Sequence, residues 1–388
     1  MGQFASETQM GKNGPAHRGL HIVGALFCVG LTILLLITVI RGSGDTTAPQ
    51  GGGSAQMAIM DRFDMVIGNA VSDALDGVLT MDKVYWLAED AKAAPKPNPT
   101  QVGQAASAAE MQPILEDAVQ RLNITNMVFN PETPILEGSA VRYYLDDTIF
   151  SVSWKQAVDN CVYSFAEVKV GHPSQFRRFM SGGEYGSGVL YTASEMAASV
   201  NAVTASSADY YAYRPQGCIV YNGNVCKVHG DYLDVCFIDD QGDLLFERAK
   251  SPRIKNKATV EEYVKENNIR FSLTFGPVLI EDGVNVCPTY YQLGELEGHY
   301  SRAAICQQEK LHYVIVTANM EGENKSTPTV PGFAQNLADM GVQKCYALDG
   351  GQTATLIAND EIVNSISYGS ERLISDIIYF ATAMPDEQ

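Results

Sequence analysis

The sequence predicts an α+β domain in which a mixed, multi-stranded sheet is flanked by helices. Many short segments are rich in β-branched and aromatic residues, and fewer show the three- and four-residue spacing of amphipathic helices. Turn dipeptides such as Asn222-Gly223 separate several of the predicted strands. This combination is typical of an α+β domain, which we place at residues 135–388. The predicted strands are 140–145, 149–154, 161–170, 218–221, 235–238, 271–275, 302–306, 314–318, 344–348, 355–357 and 377–381.

Helices are predicted between these strands and also before them. Residues 105–134 form a helical lead-in to the domain, with a helix at 105–122. The helices inside the domain are predicted at 174–180, 193–203, 260–267 and 330–340.

A charge-free apolar segment, Ile22 to Ile40, predicts a membrane anchor. At about 1.5 Å per residue the segment spans roughly 28 Å, close to the hydrocarbon core of a bilayer. Arg41 follows where a signal peptide would carry small residues for cleavage, so an uncleaved anchor is favoured. Lys12 and Arg18 precede the span, and this slight positive bias predicts a cytoplasmic N-terminus at residues 1–21. We therefore expect a single-pass plasma-membrane protein whose C-terminal domain is extracytoplasmic.

Two connecting segments separate the anchor from the domain. Residues 41–56 are rich in Gly, Ser, Thr and Pro and predict a flexible linker. Residues 57–104 predict a helical stalk and a Pro-rich linker, because helical spacing of apolar residues continues to about residue 91 and prolines follow. The 57–91 helix either packs on the following domain or self-associates with a second copy of the chain as a coiled coil.

The charge balance argues against a nucleic-acid-binding surface. The 388 residues include 45 acidic and 27 basic side chains, a formal net charge of −18, whereas nucleic-acid phosphates require clustered Lys and Arg. The sequence contains no zinc-ligand spacing, P-loop or dinucleotide fingerprint, so no cofactor is expected. Asp349 and Asp209 could in principle hold a divalent metal ion, but no ligand spacing requires one.

The cysteines favour buried thiols over a disulfide framework. Of the eight cysteines, Cys28 falls in the predicted span, and the remaining odd number cannot all pair within one chain. Most lie in apolar strand-like segments, where a free thiol packs as a small hydrophobic group. Cys226 and Cys236 flank a predicted hairpin and are the most plausible disulfide.

The segment 346–355, Tyr-Ala-Leu-Asp-Gly-Gly-Gln-Thr-Ala-Thr, is chemically the most informative part of the chain. An apolar strand ends in Asp349, which places one carboxylate at the edge of a sheet. Gly350 and Gly351 then permit close approach of backbone and ligand, because they lack a Cβ and tolerate positive φ. On spacing alone, a tight turn with a capping Asp is the simpler interpretation.

Polar groups at other strand ends extend this pattern. Arg302 starts the 302–306 strand, Asn364 follows Glu361-Ile362-Val363, and Arg372 ends Gly369-Ser370-Glu371-Arg372. Guanidinium groups bind phosphate oxygens in bidentate geometry, and carboxylates bind sugar hydroxyls or act at an anomeric carbon. The set suits an anionic, hydroxylated ligand, although an isolated Arg on a strand is more often a surface or salt-bridging residue.

At these residues the sequence resembles the phosphodiester glycosidase family. The family pattern Asn-Leu-Asp-Gly-Gly-Gly-Ser-Ser/Thr-Thr is followed by a hairpin ending in Val-Asn and by an Arg before the last strand. The similar segments here, in chain order, are 208–211, 218–223, 275–283, 301–305, 347–355, 362–364 and 371–372. The resemblance extends over about residues 190–388. Ser207 stands where the family has Asn and Gln352 replaces the third glycine, which predicts altered specificity.

The resemblance implies hydrolysis of a sugar-1-phosphodiester bond in an envelope or exopolysaccharide glycan. Arg302 and Arg372 would bind the phosphate, and Asp349 would stabilise the sugar cation, attack it or activate water. Glu167 and His172 are weaker candidates for acid–base chemistry, since polar surface residues explain them as well. The implied substrate-binding residues are Gly350, Gly351, Gln352, Thr353, Thr355, Asn364, Asp209 and Tyr210.

Two other interpretations remain open at this point. The same arginines and carboxylate serve equally well in a non-catalytic surface module that binds an anionic cell-wall or capsule polymer. The other interpretation is a scaffold protein that functions through the 57–91 helix and carries a degenerate enzyme domain. Release of reducing sugar from a glycosyl phosphodiester distinguishes hydrolysis from binding.

Overall fold

The computed structural model describes residues 94–293 and 296–383. The predicted anchor at 22–40, the linker at 41–56 and the stalk helix at 57–91 lie outside the described residues. Within the described ranges, no helix combines the length and apolar character that a membrane crossing requires.

The described chain is built mainly from strands. The α-helices are α1 Gln112–Leu122, α2 Ala193–Ser199, α3 Lys257–Glu266 and α4 Val330–Asp339. The strands are β1 Val102–Ala105, β2 Val141–Leu145, β3 Ile149–Val158, β4 Cys161–Val170, β5 Phe176–Met180, β6 Thr204–Ser207, β7 Gly217–Tyr221, β8 Asn224–His229, β9 Val235–Ile238, β10 Leu244–Glu247, β11 Phe271–Leu273, β12 Val278–Glu281, β13 Val284–Asn285, β14 Arg302–Glu309, β15 His312–Asn319, β16 Lys344–Leu348, β17 Leu356–Ala358, β18 Glu361–Ile362 and β19 Asp376–Phe380.

Two large antiparallel sheets organise the domain. Over the described residues, the larger sheet has nine strands in the order β1-β2-β3-β4-β15-β14-β16-β12-β13, and the second has five in the order β18-β17-β6-β19-β5. Two smaller sheets, β10-β9-β11 and β7-β8, complete the described strands. β16 lies between β14 and β12, so its C-terminal end falls in the interior of the large sheet rather than at its edge strand.

Apolar layers on the faces of the sheets hold the elements together. One face of the nine-stranded sheet packs with α1 and α4 through residues such as Leu115 and Phe333. Its other face packs on the five-stranded sheet, where Leu348 of β16 belongs to the same buried cluster as Leu356 of β17. α2 covers the outer face of the five-stranded sheet. Buried strand runs therefore alternate between two hydrophobic layers, as expected of a sheet covered on both sides.

The α+β prediction is confirmed, with three differences in detail. Strand pairings in the described residues are antiparallel rather than mixed, because hairpins join many of the neighbouring strands. Residues 176–180 form β5 instead of part of a helix, since they pair with β19 and tertiary pairing overrides local propensity. The sheet also begins before residue 135: β1 pairs with β2, and α1 contributes to the core beneath them.

The described cysteines are free thiols. The predicted Cys226–Cys236 disulfide is absent, because β8 pairs with β7 whereas β9 pairs with β10 and β11. The two residues therefore do not form a hairpin with each other. Cys306 and Cys345 face each other across β14 and β16, with their Sγ atoms 2.8 Å apart.

Candidate active site

Asp349 follows β16 directly and is held there by backbone contacts. Its N–H donates to the carbonyl oxygen of Ala208 (3.0 Å), and the Gly351 N–H donates to the carbonyl oxygen of Ser301 (2.8 Å). A Cβ on Gly350 would lie 2.5 Å from that same Ser301 oxygen, so the turn requires glycine there. The Gly-Gly pair thus folds the chain tightly against β14 and leaves the Asp349 carboxyl at the end of the sheet.

The Asp349 carboxyl is buried and incompletely satisfied. The residue is 7% exposed, and its Oδ2 has no hydrogen-bond partner among the described residues. Burial raises the pKa of Asp349 to about 7, although Arg372, the Thr353 hydroxyl and Arg214 act to lower it. A carboxyl that changes charge near neutral pH beside cationic groups is a common feature of catalytic sites.

Arg372 is the predicted arginine that does lie beside Asp349. Its Nη2 donates to the Tyr210 hydroxyl (3.4 Å), and its guanidinium lies 4.5 Å from the centre of the Tyr213 ring. Burial disfavours its charge, but Asp349 and Tyr210 raise the pKa of Arg372 above its ordinary value. The two aromatic rings, themselves stacked 4.9 Å apart, hold the cation in place.

Arg302 is not brought to Asp349, contrary to the prediction of a shared arginine clamp. Its Nε donates to the carbonyl oxygen of Pro328 (3.2 Å) and its Nη2 to that of Gly298. These carbonyls adjoin Leu296 and Val330, which belong to the core on the α4 side of the sheet. Burial lowers the pKa of Arg302 to about 10. The start of β14 at Arg302 was predicted correctly, but the Arg302 side chain is directed to a loop.

A buried ion cluster supports the segment that precedes Arg214. Asp209 is 2% exposed and binds Arg214 Nη2 at 2.9 Å and Arg178 Nη2 at 3.5 Å. Arg178 also binds Asp376 at 2.6 Å. Burial would raise the pKa of Asp209, but Arg214 and Arg178 lower it below its ordinary value. Asp209 therefore acts as the anchor of two arginines rather than as a group that contacts substrate.

Asp376 differs from Asp209 although it shares Arg178. Burial raises the pKa of Asp376, and the nearby Asp209 charge adds to the shift while Arg178 opposes it. Together the four side chains contain two cations and two carboxyls, which pair inside a region excluded from solvent. Such a cluster is stable only while it remains complete.

The other predicted substrate-binding residues divide into two groups. Thr353 is buried beside Asp349, and Tyr210 contacts Arg372, so these two lie at the site together with Gly350 and Gly351. Three others serve the framework. The Asn364 amide bonds to Leu356, Asn319 and Ala354, Thr355 bonds through its backbone to Ser207, and Gln352 donates to the carbonyl oxygen of Ser370 (3.2 Å).

Glu167 and His172 have structural partners away from Asp349. Glu167 accepts hydrogen bonds from the N–H groups of Val128 (2.8 Å) and Phe129 (2.7 Å). His172 caps the short helix that follows it. A cleft of about 840 Å³ lies beside Phe129, between α1 and the 124–132 loop. None of the residues around Asp349 lines that cleft.

The side chains around Asp349 provide few ligands for a metal ion. Among the described residues no three His, Cys, Asp or Glu side chains cluster as metal ligands do. The suggested Asp349–Asp209 pair does not fit a cation, because the Asp209 oxygens already accept from Arg214, Tyr210 and Thr274.

Sequence reasoning missed Arg214 and Tyr213. Both follow the family-like segment 208–211 within a tyrosine-rich stretch, and an Arg placed among tyrosines directly after a motif was the available signal. Arg178 was missed for a different reason, since it lies in the strand that was predicted as a helix.

Comparison with known proteins identifies the family of the C-terminal half of the domain. Residues 194–381 match the family model described as phosphodiester glycosidase. Residues 194–381 therefore carry a phosphodiester glycosidase domain, which is a hydrolase domain. No curated protein matches the chain.

Three solved structures that match this chain have low sequence identity to it. The catalytic domain of zebrafish N-acetylglucosamine-1-phosphodiester alpha-N-acetylglucosaminidase, auto-inhibited by its pro-peptide, is 15% identical over 73% of this chain and 89% of that one, with a TM-score of 0.48. A Synechocystis protein described as hypothetical is 13% identical over 66% of this chain and 65% of that one, with a TM-score of 0.42. A protein of Burkholderia pseudomallei described as exported is 12% identical over 57% and 74%, with a TM-score of 0.38.

Proposed function

We propose that the protein hydrolyses a sugar-1-phosphodiester by breaking the bond between the anomeric carbon and the phosphate oxygen. The observation that supports this most directly is Asp349, a buried carboxyl whose Oδ2 has no hydrogen-bond partner in the described ranges and whose pKa is lowered by the charge of Arg372. Breaking this bond develops positive charge on the sugar and negative charge on the phosphate. A carboxylate and a guanidinium that are close enough to shift each other's pKa complement both charges.

The proposed reaction requires little proton transfer to the leaving group. The phosphomonoester departs with the bonding electrons, water adds to the anomeric carbon, and that water loses a proton to the solvent. Phosphate is already stable as an anion, with a second pKa of about 6, so it needs electrostatic stabilisation more than an acid. Arg372, held by Tyr210 and Tyr213, provides that charge. Ionised Asp349 stabilises the sugar cation.

The test is hydrolysis of UDP-N-acetylglucosamine by the full-length protein, measured as free reducing sugar. Asp349→Asn removes the negative charge with little change in size, and we expect the rate to fall at least about a hundredfold. The matched control is Asp240→Asn, which alters an exposed turn carboxylate that accepts from the side chain of Gln241. This control should retain the full rate.

Two results would contradict the proposal. Full activity of Asp349→Asn excludes a chemical role for that carboxyl. Binding of the glycosyl phosphodiester without release of sugar would favour the alternative, a non-catalytic module for an anionic wall or capsule polymer.

We also propose that the domain works on an envelope or exopolysaccharide glycan while anchored in the plasma membrane through Ile22–Ile40. The length and charge-free composition of that segment support the anchor, and self-association through the 57–91 helix is proposed on its apolar spacing. The protein should stay with membranes after alkaline washing, and deletion of residues 1–56 should release it. Full-length protein that is washed off the membranes would refute the anchor.

A further inference from the structure

Arg214 is only 8% exposed, yet two of its guanidinium nitrogens have no hydrogen-bond partner among the residues that the structure describes. Its Nη2 donates to Asp209 Oδ1 (2.9 Å) and to the carbonyl oxygen of Thr274. Its Nε and Nη1 are buried, and neither has a hydrogen-bond partner within the part of the chain that the structure describes. Native proteins satisfy nearly all of their buried N–H groups. Two unsatisfied ones on a single cation therefore indicate a missing ligand of opposite charge.

Backbone and side-chain contacts place Arg214 next to the proposed reaction centre. Ala208 accepts from the Asp349 N–H at 3.0 Å, Asp209 binds Arg214, and the Tyr210 hydroxyl accepts from Arg372 at 3.4 Å. Consecutive residues of one segment thus position the carboxyl and both arginines. Arg214 and Arg372 both lower the pKa of Asp349, which agrees with this arrangement.

We propose that Arg214 and Arg372 together bind the phosphate group of the substrate beside Asp349. Arg214 then has the phosphate-binding role that the sequence analysis assigned to Arg302. This inference rests on the proposed hydrolysis of a sugar phosphodiester. Two guanidinium groups match the oxygens of a phosphate mono- or diester. A chain with a net charge of −18 repels anions at long range, so a phosphate ligand needs a locally cationic pocket.

Calorimetric titration of the full-length protein with inorganic phosphate tests this assignment. Arg214→Lys keeps a positive charge beside Asp209 but lacks the guanidinium fork, and we expect phosphate affinity to fall about tenfold or more. The matched control is Arg248→Lys, since Arg248 also pairs with a buried aspartate, Asp234, at 3.5 Å. It should bind phosphate as the wild type does. Thermal melting of each variant checks that it is folded.

Two results would overturn the inference. One is wild-type phosphate affinity in folded Arg214→Lys, whether or not Arg302→Lys shows a loss. The other is no phosphate binding by the wild type at millimolar concentration. A phosphate-soaked crystal of the wild type needs no variant and should show the anion hydrogen-bonded to Arg214 Nε or Nη1. An anion bound only elsewhere would also refute the assignment.

The two proposals can fail separately. Phosphate binding that depends on Arg214, without sugar release by the wild type, would leave this inference standing and refute the hydrolase. If the wild type releases sugar and Arg214→Lys has unchanged turnover and phosphate affinity, the hydrolase proposal stands and the role of Arg214 is refuted.

Discussion

At the scale of single residues, Asp349 combines a chemical requirement with an energetic cost. Stabilising a sugar cation requires the ionised carboxylate, whereas burial raises the pKa of Asp349 to about 7 despite the opposing charges of Arg372 and Arg214. Near neutral pH the carboxyl is therefore divided between its two forms. Activity and stability should depend on pH in opposite directions as a result.

The first consequence is a pH–rate profile that rises through about pH 7. A phosphodiester has no ionisation of its own in this range, so the inflection of kcat/KM reports the enzyme. Initial rates between pH 5 and 9 measure it. A profile that falls through this range would mean that Asp349 acts as an acid, and the residual activity of Asp349→Asn should lack the inflection.

The second consequence concerns folding. The unfolded Asp349 ionises near pH 4 and the folded one near 7, so the folded state binds more protons between these values and loses stability as pH rises through them. Asp349→Asn removes this loss. Its stability relative to wild type should improve by about 2–3 kcal/mol between pH 5 and pH 8, measured by urea unfolding. A difference that does not change with pH would refute the raised pKa.

At the scale of elements, the turn after β16 determines where Asp349 lies. Glycine is favoured at both 350 and 351, but for different reasons. A Cβ at Gly350 would meet the backbone oxygen of Ser301 at 2.5 Å, whereas one at Gly351 would meet nothing within 4 Å and is opposed only by the φ of +62°. Gly350 is therefore needed because the backbone of Ser301 approaches it closely, whereas Gly351 is favoured by its left-handed backbone conformation.

Substitutions at the two glycines should differ in activity more than in stability. Gly351→Ala should cost about 1–2 kcal/mol from its left-handed backbone and leave much of the activity. Gly350→Ala should cost about 1–3 kcal/mol and also displace Asp349, with a loss of activity of at least about tenfold. Denaturant unfolding and sugar release measure both effects. Equal activity in the two variants would contradict this account of the turn.

The ion cluster beneath the site joins β5, β19 and the segment after β6. Asp376→Ala leaves the buried Arg178 with a single carboxylate among the described residues, Asp209 at 3.5 Å, so we expect a loss of about 3–5 kcal/mol. Removal of the surface pair between Arg142 and Glu361 by Arg142→Ala should cost less than about 1 kcal/mol. Similar losses in the two variants would mean that the cluster has little part in stability.

At the scale of the whole molecule, the sheet depends on residues that precede the family-like region. β1 pairs with β2 at one edge, and Ala105, Ala108 and Met111 are buried in the same core as β3 and β4. The carbonyl oxygen of Ala94 also accepts from Asn201 (2.7 Å). Removing residues 57–104 would therefore take away structure as well as the predicted stalk.

Two truncations test this boundary. A chain that starts at residue 94 keeps β1 and should melt close to the full-length protein. A chain that starts at residue 106 exposes β2 as an edge strand and should melt lower by roughly 5 °C or more. Scanning calorimetry of both chains provides the comparison. Equal melting temperatures would show that β1 adds little, as a domain starting near residue 135 requires.

Several elements could be predicted from the sequence because their signals are local. The strands 161–170, 235–238 and 344–348 were predicted with the bounds that the structure has, since long β-branched and aromatic runs suit a buried strand. The turn at 349–351 follows from glycine chemistry. By contrast, β5 was predicted as a helix, because its identity comes from pairing with a strand near the other end of the chain.

The sequence by itself determined that a carboxyl would follow a buried strand at a Gly-Gly turn, and it showed a resemblance to phosphodiester glycosidases over about residues 190–388. Only the tertiary structure decided which arginines lower the pKa of Asp349, namely Arg372 and Arg214. Arg302 begins a strand adjacent to β16, yet its side chain binds loop carbonyls on the α4 side. Arg214 comes from a distant segment that Asp209 holds in place. The physical reason is that sequence patterns specify which element a residue starts or ends, whereas the direction of a charged side chain depends on partners that folding brings together.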